Sequence, residues 1–265
     1  MDSIEAFKNA QKQGWAHFAP LEVTTMLPAV RLVKFAGVFS GVRVLDVACG
    51  TGVVALTAAR AGANVTGLDL TPELLDRARW NAMIAGLGIK WEEGDIEHLP
   101  FGDESFDMVL SQFGHIFAPR PEVAIAEMLR VLKPDGVIAF TTWPPDLLIG
   151  RMFSLVASYL PPPPPGVSPP VQWGDPAIVR QRLGSAVRDI KFDAGVMATP
   201  ALSPQHFRTF TEKTAGPLIK VVDTLQKSDP GRLDQFRREY DLLASAYWMD
   251  NAIQQAYLMT RAIKN

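Results

Sequence analysis

The spacing of hydrophobic positions changes character along the chain. Over residues 4–39 apolar side chains recur near helical spacing, as at Leu27, Val30 and Val33, and Pro28 is expected to break or start a helix there. From residue 42 onward short apolar runs alternate with helical segments. Val42–Val47 is predicted as a strand, followed by a glycine-rich turn at 48–52 and a helix over 53–61. Asn64–Asp69 is the second strand. Thr71-Pro72-Glu73 then starts a helix, with Thr71 as the cap, Pro72 at the first helical position and Glu73 at the positive end of the helix dipole. That helix stops at Gly86 and Gly88. Ile89–Glu93 and Phe106–Ser111 are strands three and four. Glu122–Leu132 is a helix closed by Lys133-Pro134-Asp135-Gly136, and Val137–Thr142 is strand five. Strands alternating with helices predict βαβ units and a parallel sheet covered on both faces.

Beyond Trp143-Pro144-Pro145 the pattern changes again. Leu147–Leu160 reads as a helix, Pro161–Pro165 as an extended spacer, Asp175–Leu183 as a short helix and Ala186–Ala198 as a strand. No basic residues flank the proline tract, which argues against its being a ligand for SH3-type domains. Residues 203–250 read as helical with breaks at Pro217 and Pro230-Gly231, and Ala256–Ile263 as a final strand.

The 265 residues carry a formal net charge of -2, and the longest basic run is the pair Arg237-Arg238, which argues against a nucleic-acid partner. Cys49 is the one cysteine, so no intramolecular disulfide forms. His17, His98, His115 and His206 are scattered, and no metal site is expected. The first fifteen residues lack the apolar core of a signal peptide. No apolar run reaches the roughly 18 residues of a membrane span, so a cytoplasmic protein is expected.

Candidate chemistry concentrates at Val44-Leu45-Asp46-Val47-Ala48-Cys49-Gly50-Thr51-Gly52, a buried strand running into a loop whose glycines let backbone approach a ligand. Asp69 ends the next strand, where a carboxylate can accept both hydroxyls of a ribose. Asp95 follows the third strand, where a carboxylate can accept an adenine amino proton. Asp46, Asp69 and Asp95 therefore fall at the sheet edge where ligands bind in open α/β folds.

These segments resemble the motifs of class I S-adenosylmethionine-dependent methyltransferases. Leu45–Gly52 looks like the first motif, Thr66-Gly67-Leu68-Asp69-Leu70 like the ribose-binding strand, and Gly94-Asp95, Leu99-Pro100-Phe101 and Phe106-Asp107-Met108-Val109 like the next two. Leu129–Gly136 resembles the turn before strand five. The order and spacing are similar to the subgroup containing ubiquinone and menaquinone biosynthesis methyltransferases. The resemblance covers residues 43–143 specifically and the rest more softly.

It implies an α/β, Rossmann-like, doubly wound sheet of seven mostly parallel strands, the last one antiparallel. A helical cover over 1–40, a binding domain over 41–198 and 253–265, and a helical lid over 199–252 between the last two strands complete the expected chain. S-adenosyl-L-methionine is the implied cofactor, S-adenosyl-L-homocysteine the product, and a small, apolar or amphipathic molecule the methyl acceptor, in a monomer or homodimer. The implied cofactor residues are Ala48, Gly50, Thr51 and Gly52 at the methionine portion with Asp46 behind them, Asp69 and Leu70 at the ribose and adenine, Asp95 and Ile96 at the adenine edge, and Ser111 and Gln112 beside the sulfonium. Ala48 stands where many members have glycine, so its backbone is expected to avoid positive φ.

Methyl transfer from a sulfonium is an in-line displacement, and the protein mainly orients, excludes water and tunes charge. His115, in the loop after strand four, is the candidate general base, ahead of His17 and His206. Cys49 has no basic neighbour in sequence and reads as packing. Trp15, Phe18, Phe113, Phe117, Trp143, Phe207 and Phe210 crowd the expected mouth as lid core or acceptor-pocket lining. A nicotinamide-dependent dehydrogenase would use Gly50, Gly52, Ala55 and Asp69, but leaves Asp46 and Gly94-Asp95 without a role. A ligand-binding regulator without turnover is the other alternative.

Overall fold

The buried run Val44-Leu45-Asp46-Val47 forms the centre of the sheet because it is flanked by strands on both sides and by helices above and below. The computed structural model describes residues 3–265. Its strands are β1 (Arg43–Val47), β2 (Asn64–Asp69), β3 (Lys90–Glu93), β4 (Phe106–Gln112), β5 (Leu132–Thr142), β6 (Val187–Pro200), the two-residue β7 (Trp248–Met249) and β8 (Ala252–Lys264). The sheet runs β3-β2-β1-β4-β5-β8-β6, with β7 paired to β8. The first five strands are parallel, and β8 lies antiparallel between β5 and β6. Strand order reverses at β1 and β4, and crevices at such a switch point hold ligands in α/β sheets.

The helices are α1 (Ser3–Trp15), α2 (Glu22–Ala36), α3 (Val53–Arg60), α4 (Pro72–Ala85), α5 (Pro121–Val131), α6 (Leu148–Tyr159), α7 (Pro176–Leu183), α8 (Pro204–Thr214), α9 (Gly216–Ser228) and α10 (Pro230–Ser245). Ala29, Leu32, Val33 and Ala36 make the i, i+3, i+4, i+7 stripe by which α2 packs with α3 on one face of the sheet. Leu45, Val109, Ile125, Met128 and Phe140 belong to the core of the other face. A third core joins α6 to the insertion, around Met152, Phe207, Leu218, Phe236 and Tyr240.

The expected α/β, Rossmann-like architecture and the helical insertion between the last two long strands are present. Four details differ from the sequence reading. Pro28 sits inside α2 rather than at a break, because the buried stripe after it carries the helix on. Strand five begins at Leu132, its Lys133–Gly136 stretch continuing as β5 instead of closing the helix before it. The insertion is helical to Ser245 and not to 250. It ends in a hairpin, with Asp250 and Asn251 at φ 52° and 56° in the turn, so β8 starts at Ala252 rather than Ala256 and β7 adds an eighth strand. Residues 1 and 2 of the expected N-terminal cover lie outside the described residues. No helix among the described residues is long and apolar enough to cross a membrane.

Candidate functional site

The glycine loop turns on three left-handed residues. Gly50 and Gly52 have φ of 54° and 82°, and Ala48 has φ of 51°, against the expectation that its backbone stays at negative φ. A methyl side chain at positive φ carries a strain of roughly 1–3 kcal/mol, which surrounding structure must fix. Gly114 supplies that restraint: a Cβ there would lie 2.4 Å from the Ala48 carbonyl oxygen, so the loops after β1 and β4 are pressed together backbone to backbone. Gly52 caps α3 and abuts Trp91, whose ring would be 2.6 Å from any Cβ at that position.

Two carboxylates shape this loop. Asp69 Oδ2 accepts the Gly50 N–H at 2.7 Å, and its Oδ1 accepts the Thr71 N–H at 2.9 Å. Thr71 makes no side-chain capping bond, so the helix-start role read for its hydroxyl is not taken up. Asp46 Oδ2 accepts the Ala55 N–H at 2.9 Å in the first turn of α3, while Oδ1 is buried and has no hydrogen-bond partner. Burial pushes the Asp46 carboxyl up to about 8, with the neighbouring Asp69 charge adding to the rise. Burial also raises Asp69, and it raises the Cys49 thiol well above its ordinary range, which supports packing and not nucleophilic chemistry for Cys49.

At the third strand end Asp95 Oδ1 accepts the Glu97 N–H at 2.9 Å, and Oδ2 pairs with Lys8 of α1 at 2.5 Å. Lys8 also meets the fully buried Glu97 at 2.5 Å, and Arg120 holds the same carboxylate at 2.7 Å from the other side. Sequence reasoning missed Lys8, since nothing in its local spacing links α1 to residue 95.

These groups open onto one cavity. Asp46, Ala48, Gly50, Thr51, Asp69, Leu70, Asp95, Ile96 and Gln112 all line it. Gly52, Ser111 and His115 do not. Ser111 is fully buried, donating to the Val47 carbonyl at 2.8 Å and receiving the His115 N–H at 3.3 Å, so it braces the β1 and β4 ends instead of facing a ligand. His115 is fully buried, with its ring 4.7 Å from both Phe140 and Trp173, and neither ring nitrogen has a partner. Burial, with Arg182 nearby, lowers it to about 3. A neutral imidazole outside the cavity has no route to an acceptor proton, which removes the geometric basis for reading it as a base. Gln112 donates Nε2 to the Thr25 carbonyl at 2.9 Å.

The far side of the cavity is apolar. Trp15 and Phe117 lie 4.5 Å apart between ring centroids, and Phe113 stacks on Trp143 at 3.9 Å. Phe153 of α6, Phe207 of α8 and Leu218 of α9 complete the wall, whereas Phe210 is not part of it. Gly14 of α1 and Gly216 of α9 touch over the top, a Cβ on Gly14 lying 3.2 Å from the Gly216 Cα.

A model of the family described as a methyltransferase domain matches residues 45–140, which carry the loop and all three strand-end carboxylates. The chain is a class I S-adenosylmethionine-dependent methyltransferase. It is 37% identical to an uncharacterized protein of Mycobacterium bovis over 88% of this chain and 85% of that one. It is 36% identical to the ubiquinone biosynthesis O-methyltransferase of Actinobacillus pleuropneumoniae over 52% of this chain and 63% of that one. A putative methyltransferase from Bacillus halodurans has a similar fold, with a TM-score of 0.59 at 19% identity, covering 89% of this methyltransferase and 98% of that chain. S-adenosyl-L-methionine is therefore the methyl donor. The residues present fit it: left-handed loop backbone, an orphaned buried carboxylate oxygen that suits an ammonium group, and a second carboxylate at the end of β2 that braces the loop.

Proposed function

We propose that this methyltransferase acts on a small, uncharged, apolar or amphipathic acceptor, in the manner of the quinone-biosynthesis subgroup. The observation that carries this reading is the aromatic and aliphatic wall facing the carboxylate-bearing edge. When bound, S-adenosyl-L-methionine supplies an electrophilic methyl carbon and a neutral thioether leaving group. The chain's part is placement. Ala48, Gly50 and Thr51 cradle the methionine portion, with Asp46 Oδ1 toward its ammonium. Asp69 and Leu70 hold the ribose and the adenine face, and Asp95 and Ile96 meet the adenine edge. Each carboxylate oxygen already bonded to backbone keeps lone pairs for these contacts. Gln112, at the end of β4, lines the same cavity.

The Asp46 assignment has a thermodynamic signature. With a carboxyl near 8, Asp46 is mostly protonated at neutral pH, and an arriving ammonium favours the ionised form. Binding of S-adenosylmethionine near neutral pH is expected to release close to one proton. Calorimetry in buffers of different ionisation heat reads this directly, and Asp46→Asn should abolish it. A wild-type protein that binds with no proton release rejects the assignment.

We further propose that α1 and the insertion close over the site as a lid, because a sulfonium must be kept from water while the acceptor is aligned. The Gly14–Gly216 contact and the cavity-lining Phe207 and Leu218 support this. Adding S-adenosylhomocysteine should raise hydrogen-exchange protection over residues 203–225 at any protein concentration. Protection that tracks protein concentration and ignores the ligand would point to a dimer interface instead.

A further inference from the structure

Part of the cavity wall opposite the strand-end carboxylates comes from α6, α8, α9, β6 and β8, beside the aromatic residues of α1 and of the loops after β4 and β5. Among the described residues that these elements bring to its lining, Thr211 and Gln255 are the ones with polar side chains, and none is ionisable. Thr211 is already committed: its hydroxyl lies 2.9 Å from both the Phe207 carbonyl and the Tyr240 hydroxyl. Gln255 is half committed. Its Nε2 donates to Thr199 Oγ1 at 2.5 Å, across the β6–β8 ladder in which Met197 faces Gln255. Its Oε1 receives no hydrogen bond from the described residues. Tyr257, two positions along the same strand face, packs against Phe113 and Trp143, so the Gln255 amide stands on the same floor as the end of β4.

We propose that Gln255 is the specificity-determining residue for the acceptor, its Oε1 taking a hydrogen bond from a single O–H or N–H group on an uncharged, ring-bearing molecule. This rests on the acceptor reading given above and narrows it. The physical argument has two parts. The wall these elements supply carries no counter-charge, and Lys8 and Lys12 across the cavity are paired with carboxylates, so an anionic substrate is penalised by its desolvation. An amide oxygen at the cavity wall, its amide held by Thr199, favours a ligand that donates to it, because an apolar or acceptor-only group displaces water from that oxygen without replacing its hydrogen bond. An amide oxygen orients a donor without removing its proton, so Gln255 acts by positioning and not as a base.

The test uses the full chain saturated with S-adenosylhomocysteine and three probes of one shape: 2-naphthol, 2-methoxynaphthalene and 2-naphthoate. Calorimetry near neutral pH should show 2-naphthol binding about tenfold more tightly than 2-methoxynaphthalene, with the carboxylate weakest. Gln255→Leu should bring 2-naphthol to the level of the methyl ether while leaving the ether itself unchanged. Thr199→Val, which frees the amide to rotate, should narrow the preference without removing the side chain. Equal affinity for the two neutral probes, tighter binding of the carboxylate, or no binding of either neutral probe overturns the proposal, and the wild-type comparison alone decides this if a variant does not fold. Failure of the cofactor half would show separately, as absent heat in the S-adenosylhomocysteine titration itself.

Discussion

Replacing Asp69 with alanine is expected to weaken S-adenosylmethionine binding by about 1.5–3 kcal/mol, the usual worth of hydrogen bonds to a charged group. The carboxylate does two things at once. It fixes the loop by accepting the Gly50 N–H, and it orders the entry to α4 by accepting the Thr71 N–H. Its remaining lone pairs are the proposed acceptors for the ribose hydroxyls. Alanine removes all of these, so the expected loss lies toward the upper end of the range. Asp69→Asn separates the two contributions, since an amide keeps one acceptor oxygen and turns the other into a donor that opposes an N–H. Calorimetric titration with cofactor gives the affinity, and the urea midpoint of each variant shows whether the fold is intact. A folded Asp69→Ala protein with wild-type affinity would remove Asp69 from the cofactor site.

The second large effect concerns acid stability. His115 is held neutral by burial, at about 3 against an ordinary 6.5. The unfolded chain binds a proton at this histidine once the pH drops below its ordinary value, whereas the folded chain does not. The contribution of neutral His115 to stability is thus fully present above pH 6.5 and is lost as the pH falls toward 3, amounting to about 5 kcal/mol in full. His115→Phe, in a pocket already lined by Phe140 and Trp173, should lose much less stability over that interval. Urea unfolding of both proteins from neutral to acid pH should show the curves converging or crossing. Parallel curves would mean that the imidazole is not excluded from solvent. The same variant should keep its turnover near neutral pH within about threefold, because the ring lies outside the cavity.

How much of this was legible depended on whether the physics is local. The βαβ alternation, the strand-end carboxylates and the helix stop at Gly86 are written in neighbouring residues, and each is found where the pattern puts it. Ala48 was misread because its left-handed turn is enforced by Gly114, more than sixty residues away. His115 was misread because sequence gives its distance from the end of β4 but not the direction of its ring. Ser111 failed for the same reason: its hydroxyl turns back onto the Val47 carbonyl. Gln255 had a usable signal. Ile253, Gln255, Tyr257 and Met259 alternate on the buried face of β8, and a lone amide in such a row marks a polar requirement. Starting that strand at Ala256 hid it. The cavity lining gathers residues from α1, the loops after β4 and β5, and five later elements, and no periodicity reports such convergence.

The first helix carries one more consequence. None of the thirteen residues of α1 is fully buried, and the helix is held by Lys8 and Lys12 to carboxylates of the sheet edge, by Trp15 to Phe117 and by Gly14 to α9. An isolated helix of that length does not sustain itself in water. When it leaves the sheet edge it therefore melts instead of swinging aside as a rigid door. Each released residue regains roughly 1–2 kcal/mol of backbone entropy at room temperature, which offsets the broken ion pairs. Under the lid proposed above, access to the cavity becomes an order–disorder equilibrium. Warming shifts it toward the open side, and added salt does the same by screening the lysine contacts.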